Sequence, residues 1–227
     1  MIDMHTHILP KMDDGSQNTE QSHSMIALLQ QQGITAIAVT PHFYPNRETP
    51  DNFLKRRLQA IQRLGDPELP CLYGAEVAYF SGISNCQELP QLQLGDTGLL
   101  LVEMPFRRWT DRIIQDICNI PTRHGLTPVL AHVDRYRARG QLPKYWKHLL
   151  ERGVLLQCNA DVFETFSGRH WAIKQIKRGR IHFLGSDCHN LAERRPNLDL
   201  ARQVITKKLG DSAWEQLAQQ ARQQLHL

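Results

Sequence analysis

Seven short apolar runs, separated by helix-like segments, constrain the fold of this chain more than any other feature. The runs cover residues 2–6, 34–40, 70–75, 99–104, 127–131, 154–157 and 181–185. They are apolar throughout rather than alternating, which is typical of parallel strands buried on both faces. Amphipathic segments with helix end signals lie between them, such as 20–32 followed by Gly33. This order predicts a parallel sheet with helical crossovers, either doubly wound or closed into a barrel.

The ends of these runs carry side chains that commonly bind metal ions. They are His5 and His7 at the first run, His42, Glu76, Glu103 and His132 at the second to fifth, Asp187 and His189 after the seventh, and Asp14 in the first loop. The carboxyl ends of barrel strands converge on one face, whereas an open sheet would spread them along a line. The pattern therefore favours a closed barrel with a single site.

Metal binding explains these residues better as a group than one at a time. Each alone is explained equally well as a histidine satisfied in the core or as a buried ion pair. Glu76 and Glu103, however, lie in apolar stretches, where a carboxylate is costly to bury without a cation. His5 and His7 are two residues apart in a strand, so their imidazoles project from the same face.

The number and type of donors indicate the kind of centre. Nitrogen and oxygen donors suit manganese, iron or zinc, and the set exceeds what one tetrahedral ion needs. Two or three ions sharing carboxylates are therefore expected. Three divalent ions would carry a charge of about +6 against about four from the carboxylates, which favours an anionic substrate such as phosphate.

Composition bounds the remaining possibilities. A chain of 227 residues without a repeat or linker suits one domain, here residues 1–227. The net charge of +4 is too small to indicate nucleic-acid binding, and no apolar run reaches the roughly 18 residues of a membrane span. The five cysteines form no CxxC pair, so reduced thiols are expected. Together with the absence of a signal-like start, this predicts a cytoplasmic protein.

Several motifs in a fixed order resemble the PHP superfamily, the polymerase and histidinol phosphatase proteins. They are HTH near the amino terminus, TPH at the second run, GAE at the third, VE at the fourth, AHVDRY at the fifth and SDCHN at the seventh. The DDG after HTH, the AHxxRY signature and the short length further resemble the bacterial manganese-dependent protein tyrosine phosphatases of capsule and exopolysaccharide loci. The similarity covers about residues 1–196 and implies an α/β fold, a distorted seven-stranded (β/α)7 barrel with a trinuclear metal centre.

The resemblance also implies a role for each site residue. The metal ligands would be His5, His7, Asp14, His42, Glu76, Glu103, His132, Asp187 and His189. Glu76 would bridge two ions, and Arg135 and Arg194 would bind phosphate. A metal-bridging hydroxide would attack phosphorus without a covalent intermediate, and His42 or Asp14 could supply a proton. The expected substrate is a phosphotyrosine protein, a tyrosine autokinase that controls polysaccharide synthesis.

Alternatives to this interpretation stay open. Cys188 and Arg194 have the C-x5-R spacing of thiol-dependent tyrosine phosphatases, although no glycine lies between them and Glu193 would repel phosphate. A PHP phosphoesterase acting on histidinol phosphate or a nucleotide, or a non-catalytic metal-binding accessory domain, would carry similar ligands. Arg195 competes with Arg194 for the phosphate position. A basic rim or a merely solvated surface would account for Arg47, Arg107, Arg108, Arg137 and Arg139.

Overall fold

The computed structural model describes residues 1–137 and 141–227, which form an α/β structure. Its strands are β1 (Ile2–Thr6), β2 (Ala36–Val39), β3 (His42–Phe43), β4 (Cys71–Tyr73), β5 (Glu76–Ala78), β6 (Leu99–Glu103), β7 (Thr127–Leu130), β8 (Leu155–Asn159) and β9 (Phe183–Gly185). Its helices are α1 (Thr19–Gln31), α2 (Pro50–Leu64), α3 (Asp111–His124), α4 (Val133–Arg137), α5 (Gln141–Glu151), α6 (Phe166–Lys177), α7 (Leu198–Leu209) and α8 (Asp211–Leu225). Arg139, one of the expected rim arginines, lies outside the described residues.

The strands pair in parallel and form two sheets. At two positions around the barrel, a strand of one sheet continues into a strand of the other. One sheet has the order β1-β2-β4 and the other the order β3-β5-β6-β7-β8-β9. β2 runs into β3 through Thr40 and Pro41, and β4 runs into β5 through Gly74 and Ala75. The hydrogen bond from the Glu76 amide to the Pro41 carbonyl, at 3.0 Å, keeps the two positions adjacent across these breaks. Within residues 1–137 and 141–227, nine strands therefore occupy seven positions around the barrel.

The ends of the sheet meet between β1 and the residues after β9. Thr6 and Cys188 form a parallel bridge. The Asp187 amide donates to the His5 carbonyl at 2.8 Å, and the His7 amide donates to the Cys188 carbonyl at 3.0 Å. The sheet thus curls round on itself, and the predicted distorted seven-stranded barrel is confirmed.

Two apolar clusters hold this barrel together. The smaller includes Ile2, Met4, Ala36, Ala38, Leu99, Leu101, Val129 and Phe183 from five strands, with Ala221 and Leu225 of α8. These residues fill the interior near the beginnings of the strands. The larger cluster contains Leu100 and Val102 from the other face of β6, together with residues of the surrounding helices. Because Leu99, Leu101 and Glu103 share one face of β6, the apolar interior ends where the predicted ligands begin.

The structure differs from the predicted elements in places that matter for the site. The predicted third strand is divided into β4 and β5, so Glu76 begins a strand instead of ending one. α4 begins directly after His132 and was not predicted. α3 continues through Pro121 as one helix, which loses the hydrogen bond that this amide would donate to the Ile117 carbonyl and ends one turn later.

The helices of the described ranges include none with the length and apolar character that crossing a bilayer requires.

Close packing of β1, β8 and β9 leaves room only for glycine at position 185. A Cβ added there would stand 2.7 Å from the Cβ of His5 and 2.7 Å from the Nε2 of Gln157. We therefore expect Gly185→Ala to lower the free energy of unfolding by about 1–3 kcal/mol, the usual cost of overpacking. Denaturant unfolding measures this change, and a variant as stable as the wild type would contradict the packing described here.

His182 should make stability depend on pH. Burial lowers its pKa to about 4, and its Nδ1 accepts a hydrogen bond from the Leu156 amide at 3.1 Å. A depressed histidine pKa stabilises the fold above the unfolded pKa of about 6.5, and this stability is lost as the pH falls toward 4. We expect the wild type to lose about 2 kcal/mol between pH 7 and pH 5 relative to His182→Asn, whose amide oxygen accepts without titrating. Denaturant unfolding of both proteins at pH 7 and pH 5, with chelator present, measures the difference. Equal losses of unfolding free energy in the wild type and His182→Asn would contradict this prediction.

Candidate metal centre

All nine residues predicted as ligands lie in one cluster at the carboxyl end of the barrel. β1 supplies His5, and His7 directly follows this strand. β3, β5 and β6 supply His42, Glu76 and Glu103. His132 follows β7, Asp187 and His189 follow β9, and Asp14 lies in the first loop. The donor atoms of eight of them form three groups within which all distances are at most 4.8 Å, and His132 joins the cluster through its 2.9 Å contact with Glu76. These groups are His7, Asp14, His42 and His189; His5, His7 and Asp187; and His42, Glu76 and Glu103.

Glu76 lies at the centre of this cluster and is 1% exposed. Its Oε1 is 2.9 Å from Nε2 of His132. Its Oε2 is 2.8 Å from Nδ1 of His42, 3.2 Å from Nε2 of His5 and 3.5 Å from Nε2 of His7. A single buried carboxylate thus connects four histidines that come from three different strand ends, because His5 and His7 both belong to the end of β1.

Hydrogen bonds fix the tautomers of two histidines. Nδ1 of His7 lies 2.7 Å from the Asp13 carboxylate, and Nδ1 of His189 lies 2.9 Å from the Asp187 carbonyl. Both partners only accept, so each Nδ1 carries the proton and each Nε2 presents a lone pair toward the cluster. A carboxylate or carbonyl behind a histidine is the usual outer partner of a metal-ligating imidazole.

Gln157 of β8 positions two further histidines. Its Oε1 accepts from the His132 amide at 2.7 Å and lies 3.3 Å from Nδ1 of His5. Its amide nitrogen donates to Asn159 at 2.8 Å, and Asn159 in turn donates to Asp187 at 3.0 Å. This chain of hydrogen bonds links one side of the cluster to the other.

The donor atoms of the cluster are better placed to bind cations than to form hydrogen bonds with one another. Within the described residues, buried atoms without a hydrogen-bond partner include Nδ1 of His42, Oε2 of Glu76, Nδ1 of His132 and Nε2 of His189. Buried polar atoms in proteins almost always have a hydrogen-bond partner. Four unsatisfied atoms in one cluster therefore indicate a site for a bound group. Nitrogen and carboxylate donors facing each other at these distances suit divalent ions.

The electrostatics of the cluster favour positive charge. Burial raises the pKa of Glu76, but His5, His132 and His42 outweigh this effect and hold the pKa well below its usual range. Burial lowers the pKa of His132, but Glu103 and Glu76 outweigh it and raise the pKa to about 9. Glu76 is therefore an anion at neutral pH, and negative charge at this position favours a proton on His132 or a metal ion beside it.

Two of the cluster residues have strained backbones. His132 has φ +33° and Asp187 has φ +53°, in the left-handed region that non-glycine residues rarely occupy. Each such residue costs about 1–3 kcal/mol and persists only where its surroundings hold it. The Gln157 contact holds His132, and the amide contact with His5 holds Asp187. The strain turns both side chains into the cluster at the end of a strand.

Several supporting residues were not identified as site residues from the sequence. Asp13 accepts from His7 and, at 2.9 Å, from the His42 amide. Asp3 accepts from the Ser186 amide at 2.9 Å and pairs with its hydroxyl at 2.6 Å, which ties β1 to the segment carrying Asp187. Burial raises the pKa of Asp3 to about 7. Gln157 and Asn159 could have been identified from the sequence, because both are polar and lie on one face of an otherwise apolar strand.

Two arginines lie at the edge of the cluster. The Arg135 guanidinium contacts the Asp187 carboxylate. Arg194 Nη2 lies 2.8 Å from Oδ1 of Asp187, and its Nη1 lies 3.8 Å from Asp14. Both arginines are about one-third exposed, at 31% and 35%. Arg195 is exposed, so the geometry favours Arg194 over Arg195 as the arginine next to the ligands.

Cys188 is in no position to act as a nucleophile. Its side chain is fully buried and belongs to the larger apolar cluster. Burial raises the pKa of its thiol, whereas a nucleophilic cysteine needs a lowered pKa and access to substrate. The C-x5-R spacing therefore does not form a thiolate phosphate-binding loop.

Comparison with known proteins agrees with the sequence motifs. Tyrosine-protein phosphatase YwqE of Bacillus subtilis is 31% identical, with 92% of this chain and 85% of that protein covered. Tyrosine-protein phosphatase CpsB of Streptococcus agalactiae is 30% identical, with 96% and 94% covered.

Solved structures give the same relation. Crystal structures of YwqE from Bacillus subtilis and CpsB from Streptococcus pneumoniae, described as metal-dependent tyrosine phosphatases, include a chain with TM-score 0.85 and 29% identity, covering 100% of this chain and 94% of that one. A histidinol phosphate phosphatase from Lactococcus lactis shares the fold, with TM-score 0.58 and 15% identity over 91% of this chain and 92% of that one. The model of the family described as capsular polysaccharide synthesis, CpsB/CapC, matches residues 1–226, and the chain therefore belongs to this family.

Proposed function

We propose that this protein is a metal-dependent protein tyrosine phosphatase. The observation that carries the proposal is a cluster of nine residues with nitrogen and oxygen donors, Glu76 at its centre, with two arginines against the same cluster. Relatives that align over most of their length are named tyrosine-protein phosphatases, which supports the same activity.

The proposed metal ligands are the nine residues predicted from the sequence, namely His5, His7, Asp14, His42, Glu76, Glu103, His132, Asp187 and His189. The three donor groups would hold three ions, and the Glu76 carboxylate would be the ligand shared between ions. Manganese is the proposed metal, and iron or zinc would suit the same donors. Bound ions would supply Lewis acidity, which activates water as a nucleophile and offsets the charge of the phosphoryl oxygens.

The chain's own residues would bind the phosphoryl group and handle the proton. The guanidinium forks of Arg135 and Arg194 would hold the phosphoryl oxygens, because their geometry matches bidentate binding. Hydrogen bonding to His189 lowers the pKa of Asp14 to about 2, so Asp14 is ionised at neutral pH and is a poor proton donor. His42, which is 11% exposed and lies beside the open cavity, is the better candidate to protonate the leaving phenolate.

The proposed substrate is a phosphotyrosine protein. The family's association with capsular polysaccharide synthesis supports a tyrosine autokinase of that process as the partner. A cytoplasmic location is part of the proposal, because such a kinase needs ATP to form its phosphotyrosines.

Removal of metal or of a ligand should abolish hydrolysis of a phosphotyrosine peptide. We expect kcat/KM to fall at least about 100-fold with chelator and for His132→Ala, because charge stabilisation at the phosphoryl group is lost. Cys188→Ala should keep kcat/KM within about threefold, since the thiol is buried away from the cluster. Loss of activity in Cys188→Ala together with indifference to chelator would contradict the proposal and favour a thiol mechanism.

Arg135→Ala and Arg194→Ala should each lower kcat/KM for the same peptide about 10- to 100-fold, the range for a lost charge-assisted hydrogen bond. Arg195→Ala is the matched control, because this neighbour is exposed and is expected to stay within about twofold of the wild type. Steady-state kinetics with excess manganese provides the measurement. Equal losses for Arg194→Ala and Arg195→Ala would show that the assignment of the phosphate-binding arginine is wrong.

A further inference from the structure

Two aromatic side chains lie against histidines on opposite oxygens of Glu76. Tyr44 stacks on His42, with ring centroids 5.0 Å apart and planes 26° apart. Phe106 stacks on His132, with centroids 5.9 Å apart and planes 15° apart. Each of these histidines is within 3 Å of one Glu76 oxygen, at 2.8 Å and 2.9 Å respectively. The two aromatic rings therefore flank the same central carboxylate.

The aromatic rings lie between these histidines and the solvent. Phe106 is 39% exposed, whereas His132 is 1% exposed. Tyr44 is half-buried and lines a cavity of about 590 Å³. Asp14 and His42 line the same cavity, so it opens directly onto two of the proposed ligands. A group bound at the cluster would extend outward through this cavity past Tyr44, and Phe106 covers His132 on the other side of Glu76.

The cavity wall at Tyr44 suits a flat group. The guanidinium of Arg47, an exposed residue, lies 4.4 Å from the centre of the Tyr44 ring. A planar cation already rests against this ring, and because the arginine is exposed, a substrate ring can displace it or stack beside it. Arg56 and Glu48 form the more distant wall of the cavity.

We propose that Tyr44 and Phe106 are specificity-determining residues that contact the aryl ring of the substrate. This inference rests on the proposed function and deepens it, because it names what distinguishes an aryl phosphate from an alkyl phosphate. The metal-binding residues and arginines recognise the phosphoryl group, which both classes share. Aromatic contacts contribute only when the ester carries a ring, so removing them should reduce affinity for aryl ligands selectively.

Binding of two phosphonates that are not hydrolysed separates these contributions. Phenylphosphonate carries the ring, and methylphosphonate carries only the phosphoryl-like group. Calorimetry on the manganese-loaded protein gives both dissociation constants, and their ratio is the readout. The variants are Tyr44→Leu and Phe106→Leu, which keep bulk but remove the aromatic face, and Tyr44→Phe, which keeps the ring. Phe166→Leu is the matched control, because Phe166 is 88% exposed at the start of α6, in a groove with α7.

We expect Tyr44→Leu and Phe106→Leu each to weaken phenylphosphonate binding about three- to tenfold, while methylphosphonate binding changes less than twofold. Tyr44→Phe and Phe166→Leu should keep the wild-type ratio. Equal weakening of both ligands, or an unchanged ratio in both leucine variants, would overturn the inference. If the wild type binds neither phosphonate, the proposed phosphatase site itself has failed, and the inference falls with it.

Discussion

The buried carboxylate of Glu76 is the interaction on which the rest of this structure depends. An ionised carboxylate removed from water costs several kcal/mol unless cations or hydrogen-bond donors replace the lost hydration. Four histidines from three strand ends surround Glu76. The barrel is the architecture that makes this possible, because parallel strands around a closed sheet bring their carboxyl ends to one place.

Keeping these donors in place requires a second set of residues with no role of their own in binding. Asp13 orients His7, while Gln157 orients His5 and His132. Gln157 also connects through Asn159 to Asp187, whose backbone is strained. These hydrogen bonds orient the side chains that a metal centre needs.

The metal centre and the aryl contacts divide the recognition of a substrate. In the proposed function, the cluster and its arginines would bind the phosphoryl group, which is common to all phosphate monoesters. In the inference above, Tyr44 and Phe106 contact the aryl ring that carries the phosphoryl group. Both rings stack directly on histidines of the cluster, so the same side chains that surround Glu76 also support the aryl contacts. Catalysis and selectivity therefore share one framework.

The sequence predicts the barrel and the position of the cluster because both follow from local patterns. A ligand-type residue after an apolar run, such as His132, is visible without knowledge of contacts. The division of the third strand at Gly74 and Ala75 was not predictable, because it depends on pairing with the break at Pro41. The short helix after His132 escaped prediction for a similar reason, since Gln157, 25 residues away, holds that turn. A contact distant along the chain also places Phe106 on His132.

Counting the ions that the protein binds is the most direct test of this account. Metal-depleted protein would be titrated with manganese, and bound ions would be counted by elemental analysis after removal of free metal. The account predicts three ions per chain for the wild type and at least two fewer for Glu76→Gln, which keeps the shape of the side chain but removes its charge. At most one ion in the wild type, or the same number in Glu76→Gln, would contradict a centre organised around Glu76.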